Sequence, residues 1–380
     1  MTNRERQILA LLRDDPTLTA AAIARRLKTS AAAVTVHLSS LRQQGEIIGR
    51  GYVLKPAGQV VVIGGANMDF KCQAKAPMVL RTSNPGRMAA TVGGVACNIA
   101  RNLARLGVPT ALFTVVGQDE FGDRILREAR AAGIDVSMTL MSAKPTGTYV
   151  ALLDRDGDLT AAISAMDLME ELSAQRIGAR GAALSQARMV VADCNLEQGA
   201  LLRLAELCAG AKVPLAIDAV STRKAERLRP LLKERLPVHL LALNRDEAAV
   251  LAAGKVRTVA DLKRAARVLH RMNVTHVLIG LSDRGTYASN GAGDASIAPF
   301  PATLVDVTGG GDAALAGAIH ALLNQQTLPE AARWGQAAAA LTVSVPETVS
   351  PALSPAALQA MLRRRTRRTN RNANSKDKAA

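Results

Sequence analysis

The stretch that decides the fold runs from Asp306 to Leu323 and reads DVTGGGDAALAGAIHALL. Three glycines, Gly309 to Gly311, stand directly before Asp312, and the helical run that follows meets no helix breaker until Pro329. A helix that begins on such a loop presents unpaired N–H groups and about half a positive charge at its N-terminus. Because glycines have no Cβ atoms, a phosphate can approach that backbone closely. The stretch therefore predicts an anion site, with Asp312 either a functional carboxylate or a first-turn cap.

A second Gly-x-Gly-Asp lies shortly upstream, at residues 291–294. Pro299 and Pro301 follow it, so no helix can begin there. The Asn290–Gly291 pair is typical of a bend between two strands. We therefore predict a surface hairpin at this motif and no ligand site.

Composition predicts an ordinary globular protein. Of the 380 residues, 48% are hydrophobic and 21% are charged, and the length allows two or three domains. The N-terminus lacks the pattern of a signal peptide, and no apolar run reaches the roughly 18 residues that would suggest a membrane span. The cysteines show no metal-ligand spacing with the histidines, so free thiols in a cytoplasmic protein are expected. These cysteines are Cys72, Cys97, Cys194 and Cys208.

The net charge of +16 is concentrated at the two ends of the chain. Residues 1–56 carry +5 and residues 363–380 carry +7, which leaves only +4 for the 306 residues between them. This distribution favours contact of the ends with a polyanion rather than a nucleic-acid groove across the body. The C-terminal segment, 363–380, is predicted to be a basic, disordered tail.

Residues 1–56 are predicted to form a separate small domain. The pattern indicates helices over 3–15, 20–27 and 31–44, and a hairpin that turns at 49–51. This arrangement resembles a winged helix-turn-helix, whose third helix would lie in the major groove of DNA. The side chains that would meet phosphates are Arg25, Arg26, Lys28 and Arg42. The alternative is a three-helix module that now serves self-association.

From residue 57 to about 362 the pattern changes to apolar strands that alternate with Ala-rich helices. Continuous apolar runs of this kind predict a mostly parallel sheet with helices on both faces, a three-layer αβα fold. The predicted strands cover 60–65, 111–117, 188–193, 214–220, 239–244 and 276–281. Two more polar, hairpin-like segments, 70–90 and 146–163, suggest a small β lid over the open end of the sheet. Ligands of such sheets bind beyond the carboxyl ends of the strands.

Four motifs occur in order along this α/β body. They are GGANMDF (64–70), TVGGVACNIARNLARLG (91–107), LNRDE (243–247) and DVTGGGDAALAG (306–317). Together they resemble the ribokinase-like (PfkB) carbohydrate and nucleoside kinases, and the resemblance covers nearly everything from Val60 to Leu362. It implies transfer of a phosphoryl group from ATP to a hydroxyl group.

The resemblance assigns a role to each motif. Asp312 would be the general base, and the N–H groups of Gly309, Gly310 and Gly311 would hold the migrating phosphate. The family more often has Ala where Gly310 stands. The sugar hydroxyls would meet Asn67, Asp69, Gly93, Gly94 and Asn98.

Further residues are implied for the nucleotide and for ions. Asn244 and Glu247 would serve the nucleotide and hold Mg²⁺ largely through water, although a helix cap with Asn first and Glu at the third position explains the same pair. The loop with Ser282, Asp283 and Gly285 matches the nucleotide loop, where the family usually has Gly in place of Ser282. Asp306 and Thr308 resemble ligands of a monovalent cation, so K⁺ is an expectation as well.

Local phrases narrow the substrate. RTSNPGRM (81–88), VADCNL (191–196) and ALTVSVPETVSPALS (340–354) look like the pseudouridine kinase branch, which forms pseudouridine 5′-phosphate. In that branch Asn195 would lie near the transferred group, while Cys97 stands where Arg is expected. Two alternatives stay open: another acceptor such as ribose, a ketohexose or a purine nucleoside, or a transcriptional regulator that senses a nucleoside. A homodimer is expected, since lid strands commonly pair between subunits in relatives.

Overall fold

A computed structural model of the chain describes residues 1–14, 18–47 and 58–364. The chain divides into two compact units, Met1–Gly58 and Gln59–Ala380. Within the described residues, none of the helices has the length and apolar character to cross a membrane. All four cysteines are free thiols, as the spacing predicted.

The first unit is built on three helices, α1 (Asn3–Asp14), α2 (Ala20–Arg26) and α3 (Ala31–Gln43). Thr19 caps α2 by accepting the N–H of Ala22, and Ser30 caps α3 by accepting that of Ala33. Apolar residues from all three helices form its own core, among them Ile8, Leu12, Ile23, Val34 and Leu38. The predicted hairpin falls mainly on 48–57, outside the described residues.

The second unit is the predicted α/β body, and its elements follow in chain order. Its strands are β1 (Val60–Ile63), β2 (Asn67–Ala74), β3 (Gly86–Gly93), β4 (Thr110–Phe113), β5 (Val115–Gly117), β6 (Leu140–Ser142), β7 (Thr148–Leu153), β8 (Leu159–Ala165), β9 (Met189–Asp193), β10 (Leu215–Asp218), β11 (Val238–Asn244), β12 (Val274–Gly280), β13 (Thr286–Ser289) and β14 (Asp294–Ile297). Its helices are α4 (Val95–Arg105), α5 (Glu120–Ala131), α6 (Ala174–Gly178), α7 (Gly181–Leu184), α8 (Gln198–Ala211), α9 (Thr222–Ala225), α10 (Arg229–Lys233), α11 (Arg245–Leu251), α12 (Val259–Arg271), α13 (Gly310–Leu323), α14 (Leu328–Thr342) and α15 (355–364).

The main sheet has eight strands in the order β14-β13-β12-β11-β10-β9-β1-β4. Strands β4, β1, β9, β10, β11 and β12 are parallel, and β13 and β14 add an antiparallel edge. One apolar core lies on each face of the sheet, because strands such as β1 and β9 are buried along their whole length. The predicted three-layer αβα fold with a mostly parallel sheet is therefore confirmed.

The lid is a separate four-stranded sheet in the order β3-β2-β7-β8. It contains both segments that were predicted from their polar, hairpin-like character. Only three residues separate the end of β1 from the start of β2, so the lid begins directly at the carboxyl edge of the main sheet.

The upstream Gly-x-Gly-Asp forms the turn between β13 and β14, as predicted. Asn290 holds this turn by accepting the N–H groups of Ala292 and Gly293 through its side chain. Asp294 is exposed on the edge strand, so this copy of the motif begins no helix.

The first two residues of the predicted C-terminal tail are helical. Helix α15 includes residues 363 and 364, which the sequence assigned to the tail, and 365–380 lie outside the described residues. The chain contacts also divide the two units after Gly58 rather than after residue 56.

Two glycines allow α13 and α14 to pack closely. A Cβ at Gly335 would lie 2.5 Å from the carbonyl oxygen of Ala314, and one at Gly317 would lie 2.9 Å from that of Trp334. Backbone atoms cannot withdraw as flexible side chains can, so any larger residue forces the helices apart.

We predict that Gly335→Ala lowers the stability of the α/β unit by about 1–3 kcal/mol, the usual cost of overpacking. Gly210→Ala is the matched control, because Gly210 is exposed in α8 and a Cβ added there would have no neighbouring atom within 4 Å. That change should leave stability unchanged or raise it by up to about 1 kcal/mol through helix propensity. Thermal and denaturant unfolding check both variants, and equal effects of the two would contradict the close approach.

Candidate active site

The carboxyl ends of β10, β11 and β12 and the N-terminus of α13 surround a cavity. Residues from three of the four sequence motifs line it together, at 91–107, 243–247 and 306–317. Its lining includes Asp218, Asn244, Glu247, Gly280, Gly311 and Asp312. Parallel sheets of this type bind ligands at this edge, so this cavity is the candidate site.

The three glycines before Asp312 have different tasks. Gly309 has a left-handed backbone with φ of 79°, and a Cβ there would lie 2.1 Å from the carbonyl oxygen of Thr348. A Cβ at Gly311 would instead have no described protein atom within 4 Å, and this glycine lines the cavity. The N–H of Gly310 donates to Val307 at 3.2 Å. Helix geometry therefore leaves the N–H groups of Gly311 and Asp312 for an anion.

Asp312 lies in the first turn of α13 and is only 9% exposed. The side-chain amide of Asn98 donates to its Oδ2 at 2.8 Å, and Thr348 donates to Asn98 Oδ1 at 3.1 Å, which fixes the orientation of the amide. Burial raises the pKa of Asp312 to about 7; the Asn98 hydrogen bond opposes this rise, and the charges of Asp193 and Asp69 add to it. A carboxylate with this pKa can exchange a proton near neutral pH.

Asp69 and Asn67 lie at the start of β2, in the lid. The Asn67 amide donates to Asp69 Oδ1 at 2.6 Å, and both side chains are buried. A Cβ at Gly93 would lie 2.0 Å from Asp69 Oδ2, so glycine is required where β3 passes this carboxylate. Burial raises the pKa of Asp69, while the Asn67 hydrogen bond lowers it.

Gly94 brings the N-terminus of α4 against the β1 loop. Its φ is 94°, and a Cβ would lie 2.4 Å from the carbonyl oxygen of Gly65. Asp193, at the end of β9, joins these two segments: its Oδ2 accepts the N–H groups of Gly65 and Ala96, each at 2.9 Å. Asp193, which sequence analysis did not select, therefore joins the motifs at 64–70 and 91–107.

Asn195 is buried just beyond the end of β9. The ammonium group of Lys224 donates to Asn195 Oδ1 at 2.6 Å. Arg227 donates to the backbone carbonyl groups of Cys194, Asn195 and Leu196 and so holds the segment in place. Burial lowers the pKa of Lys224. The Lys224 ammonium group therefore lies among the acidic groups at the carboxyl edge of the main sheet.

Asn244 and Glu247 form a capping box on α11. Asn244 Oδ1 accepts the N–H of Glu247 at 2.9 Å, and Glu247 Oε2 accepts the N–H of Asn244 at 2.7 Å. The capping explanation of the pair is therefore confirmed, yet both residues also line the cavity beside Asp312. Burial raises the pKa of Glu247.

The loop at 282–285 lies between Gly280 and Thr286, two residues that line the cavity. Ser282 has a φ of 57°, a left-handed conformation that explains why Gly is usual at this position. Gly285, with φ of 89°, cannot be replaced, because a Cβ there would lie 2.0 Å from the carbonyl oxygen of Ile297. Asp283 is exposed.

Asp306 and Thr308 lie on the loop before α13 and contact each other. Asp306 Oδ1 accepts the N–H of Thr308 at 2.8 Å and its hydroxyl at 2.6 Å. The other carboxylate oxygen accepts the ammonium group of Lys71, which also donates to the Thr308 hydroxyl at 3.0 Å. A lysine from the lid therefore contacts both side chains that the resemblance assigned to a monovalent cation.

Several residues of the site were missed by sequence analysis: Lys71, Asp193, Asp218, Lys224 and Thr348. Asp193 and Asp218 each end an apolar strand, and an acidic residue at that position of a parallel sheet is a signal that could have been used. Burial raises the pKa of Asp218 well above its usual range, and the charge of Asp312 acts in the same direction. The two lysines and Thr348 carry no comparable local signal, since only the fold brings them to the site.

Known proteins resemble both units of the chain. The model of the pfkB family of carbohydrate kinases matches residues 57–355, and a winged helix-turn-helix DNA-binding model matches residues 1–47. Among solved structures, a carbohydrate kinase from Agrobacterium tumefaciens has a TM-score of 0.70 at 31% identity, over 80% of this chain and 97% of that one.

Two proteins of Escherichia coli strain K12 are similar over most of their length. The uncharacterized sugar kinase YeiI is 34% identical over 344 residues, 90% of this chain and 94% of that protein. The pseudouridine kinase is 31% identical over 294 residues, 77% of this chain and 92% of that protein. With the motifs assembled at one edge of the sheet, these similarities show that the chain belongs to the pfkB family of carbohydrate kinases and is a phosphotransferase that acts on a hydroxyl group.

Proposed function

We propose that this enzyme phosphorylates the 5′-hydroxyl group of a nucleoside with ATP, and that the nucleoside is pseudouridine. The observation that carries the proposal is the buried Asp312 carboxylate, held by Asn98 at the N-terminus of α13 in the cavity that the Asn244–Glu247 pair also lines. The substrate branch is supported by the 31% identity with a pseudouridine kinase across three quarters of the chain. Ribose, a ketohexose or a purine nucleoside is the alternative acceptor.

Asp312 would be the general base. Its pKa of about 7 lets it accept the proton of the attacking hydroxyl group while it stays substantially ionised at neutral pH. Asn98 holds one carboxylate oxygen, so the other is available to the hydroxyl group. Fixed geometry of this kind replaces an encounter in solution with an oriented contact, which accounts for much of the catalysis in phosphoryl transfer.

Asp69 would position the acceptor. Asn67 binds its Oδ1, and Oδ2 lies over Gly93, where the absence of a side chain leaves the oxygen reachable. A carboxylate suits this task because it can accept hydrogen bonds from two neighbouring hydroxyl groups of a sugar. Gly94 and Asn98 would complete the contact from the other side.

The transferred phosphoryl group would lie between α13 and Asn195. The N–H groups of Gly311 and Asp312 belong to the positive end of α13, and Lys224 adds a positive charge through Asn195. Asn244, Ser282, Asp283 and Gly285 would hold the nucleotide.

Mg²⁺ would be held through water on Glu247. In the described part of the chain, no three His, Cys, Asp or Glu side chains are grouped to hold a metal ion. A single carboxylate that already caps α11 suits an ion that keeps most of its waters and binds mainly to phosphates. When bound, the ion would neutralise charge on the phosphate oxygens.

The exposed face of the lid supports a homodimer. Strand β8 is exposed along its whole length and includes Leu159 and Ile163, which are 59% and 69% exposed. Apolar side chains on an exposed sheet face are typical of an interface. Light scattering of the purified protein tests this proposal, because it measures whether the mass is that of one chain or of two.

A second candidate function, DNA binding by the first unit, is favoured by the helix-turn-helix match and by the charge of residues 1–56. The similarity to YeiI covers 90% of the chain, more than the second unit alone, so the relative shares part of the first unit as well. The protein would then combine a kinase with a regulator.

The proposed activity is tested with a panel of acceptors, ATP and Mg²⁺. We expect pseudouridine to give the highest kcat/KM and a 5′-monophosphate as product. Asp312→Asn should lower kcat by about 100-fold or more, because proton transfer is lost. Asp294→Asn is the control, since it changes the look-alike motif on the exposed β13–β14 turn and should leave kcat unaltered. A higher kcat/KM for ribose or a purine nucleoside would replace pseudouridine with that acceptor.

The pKa of Asp312 predicts opposite pH effects on activity and stability. The base works when ionised, so kcat should rise with pH through about 7 and then level off. The folded pKa lies above the unfolded value of about 3.9, so protonation stabilises the folded state, and this contribution is lost as pH rises from about 4 through 7. Asp312→Asn should therefore raise Tm at pH 8 and change it little at pH 4. An unchanged Tm at pH 8 would contradict the buried carboxylate.

DNA binding is tested by gel shift with the region upstream of the protein's own gene and with random DNA of equal length. We expect the upstream DNA to bind more tightly than the random DNA. We also expect this affinity to change when nucleoside is added. Arg25→Ala with Arg26→Ala should weaken both complexes and reduce their salt dependence, because phosphate contacts release counterions. Equal affinity for both DNAs at moderate salt would leave only nonspecific attraction.

A further inference from the structure

We propose that Lys71 is the built-in counter-ion of the loop before α13, so that this enzyme works without a monovalent cation. The family resemblance assigned Asp306 and Thr308 to a K⁺ site, but in the structure the Lys71 ammonium group contacts both side chains. The site therefore does not fit an additional ion. The proposal rests on family membership and on this loop, not on which acceptor is phosphorylated.

The two oxygens of Asp306 are both engaged. Oδ1 accepts the N–H and the hydroxyl of Thr308, and Oδ2 accepts Lys71. A potassium ion bound to the same carboxylate would stand close to the ammonium group, and like charges at that distance repel strongly in a partly buried setting. One cation satisfies this carboxylate, and the chain supplies it.

The lysine reaches the loop because of its place in the lid. Lys71 follows Asp69 by two residues on β2, and alternation places both side chains on the same face of the strand. Its cross-strand neighbours are Ala89 on β3 and Ala151 on β7, whose small side chains leave room for the lysine stem. The strand that carries the proposed acceptor ligand thus also carries the counter-ion.

The contact matters because Asp306 determines the shape of the anion loop. Its Oδ1 accepts the N–H of Thr308. The next residue, Gly309, lies so close to the Thr348 carbonyl group that only glycine fits there. An unneutralised carboxylate at this position would also repel a nucleotide phosphate approaching α13. A lysine provides the charge permanently, whereas an ion provides it only at sufficient concentration.

The inference is tested first by ion binding, with no acceptor present. Thallous ion, a spectroscopic substitute for K⁺, is titrated into the full chain and followed by thallium NMR. We expect no saturable binding to the wild type or to Lys75→Met, a control on an exposed lysine just beyond β2. Lys71→Met should create a site, and adding Asp306→Asn should remove it. Saturable binding to the wild type that Asp306→Asn abolishes would overturn the proposal.

Kinetics provide the second measurement, at a constant ionic strength of about 0.1 M set with KCl or tetramethylammonium chloride. The wild type should show the same kcat in both salts. Lys71→Met should lose about 10-fold or more in tetramethylammonium chloride and recover part of it in KCl. Asp306→Asn should be impaired equally in both salts, because it removes the carboxylate that would bind the lysine or a potassium ion. A wild-type requirement for KCl, or a Lys71→Met enzyme that is fully active in both salts, would refute the inference.

Discussion

The site depends on one constraint: the Asp312 carboxylate is buried away from water. The side chain lies at the N-terminus of α13, where the charges of Asp69 and Asp193 oppose its ionisation. The protein tolerates this because Asn98 and the helix terminus stabilise the ionised form. Desolvation and the charges of Asp193 and Asp69 raise the pKa, the Asn98 hydrogen bond lowers it, and the result is a pKa of about 7, where a base of this kind is useful.

The acidic groups of the site are numerous, and each is restrained in a different way. Asp193 accepts backbone N–H groups from three segments, Glu247 is tied into a helix cap, and Asp306 is paired with Lys71. Asp312, in contrast, is held through one oxygen by a neutral amide and lines the cavity beside the α13 terminus. Some carboxylates of the site are thus structural and another is available for chemistry. The group that each carboxylate contacts determines which of the two it is.

The close approach of backbone segments explains the glycines. Gly93 and Gly94 lie where a Cβ would enter the Asp69 carboxylate or the β1 loop, and Gly309 lies against Thr348. Gly311 instead faces open space in the cavity. A run of glycines that looks uniform in the sequence therefore contains one residue required by packing and another that leaves room for a ligand.

The architecture could be predicted from the amino-acid sequence: apolar runs alternating with helices, a lid in two polar segments, a helical first unit, and the true motif distinguished from its copy at 291–294. These features depend on periodicity and on neighbours in the chain, so residues close in sequence suffice to predict them. Other features came only from the folded chain: Asp193 joins two motifs, Lys224 supports Asn195, and Lys71 pairs with Asp306, 235 residues away. Such contacts are made where strand ends and lid meet, and no spacing along the chain encodes them.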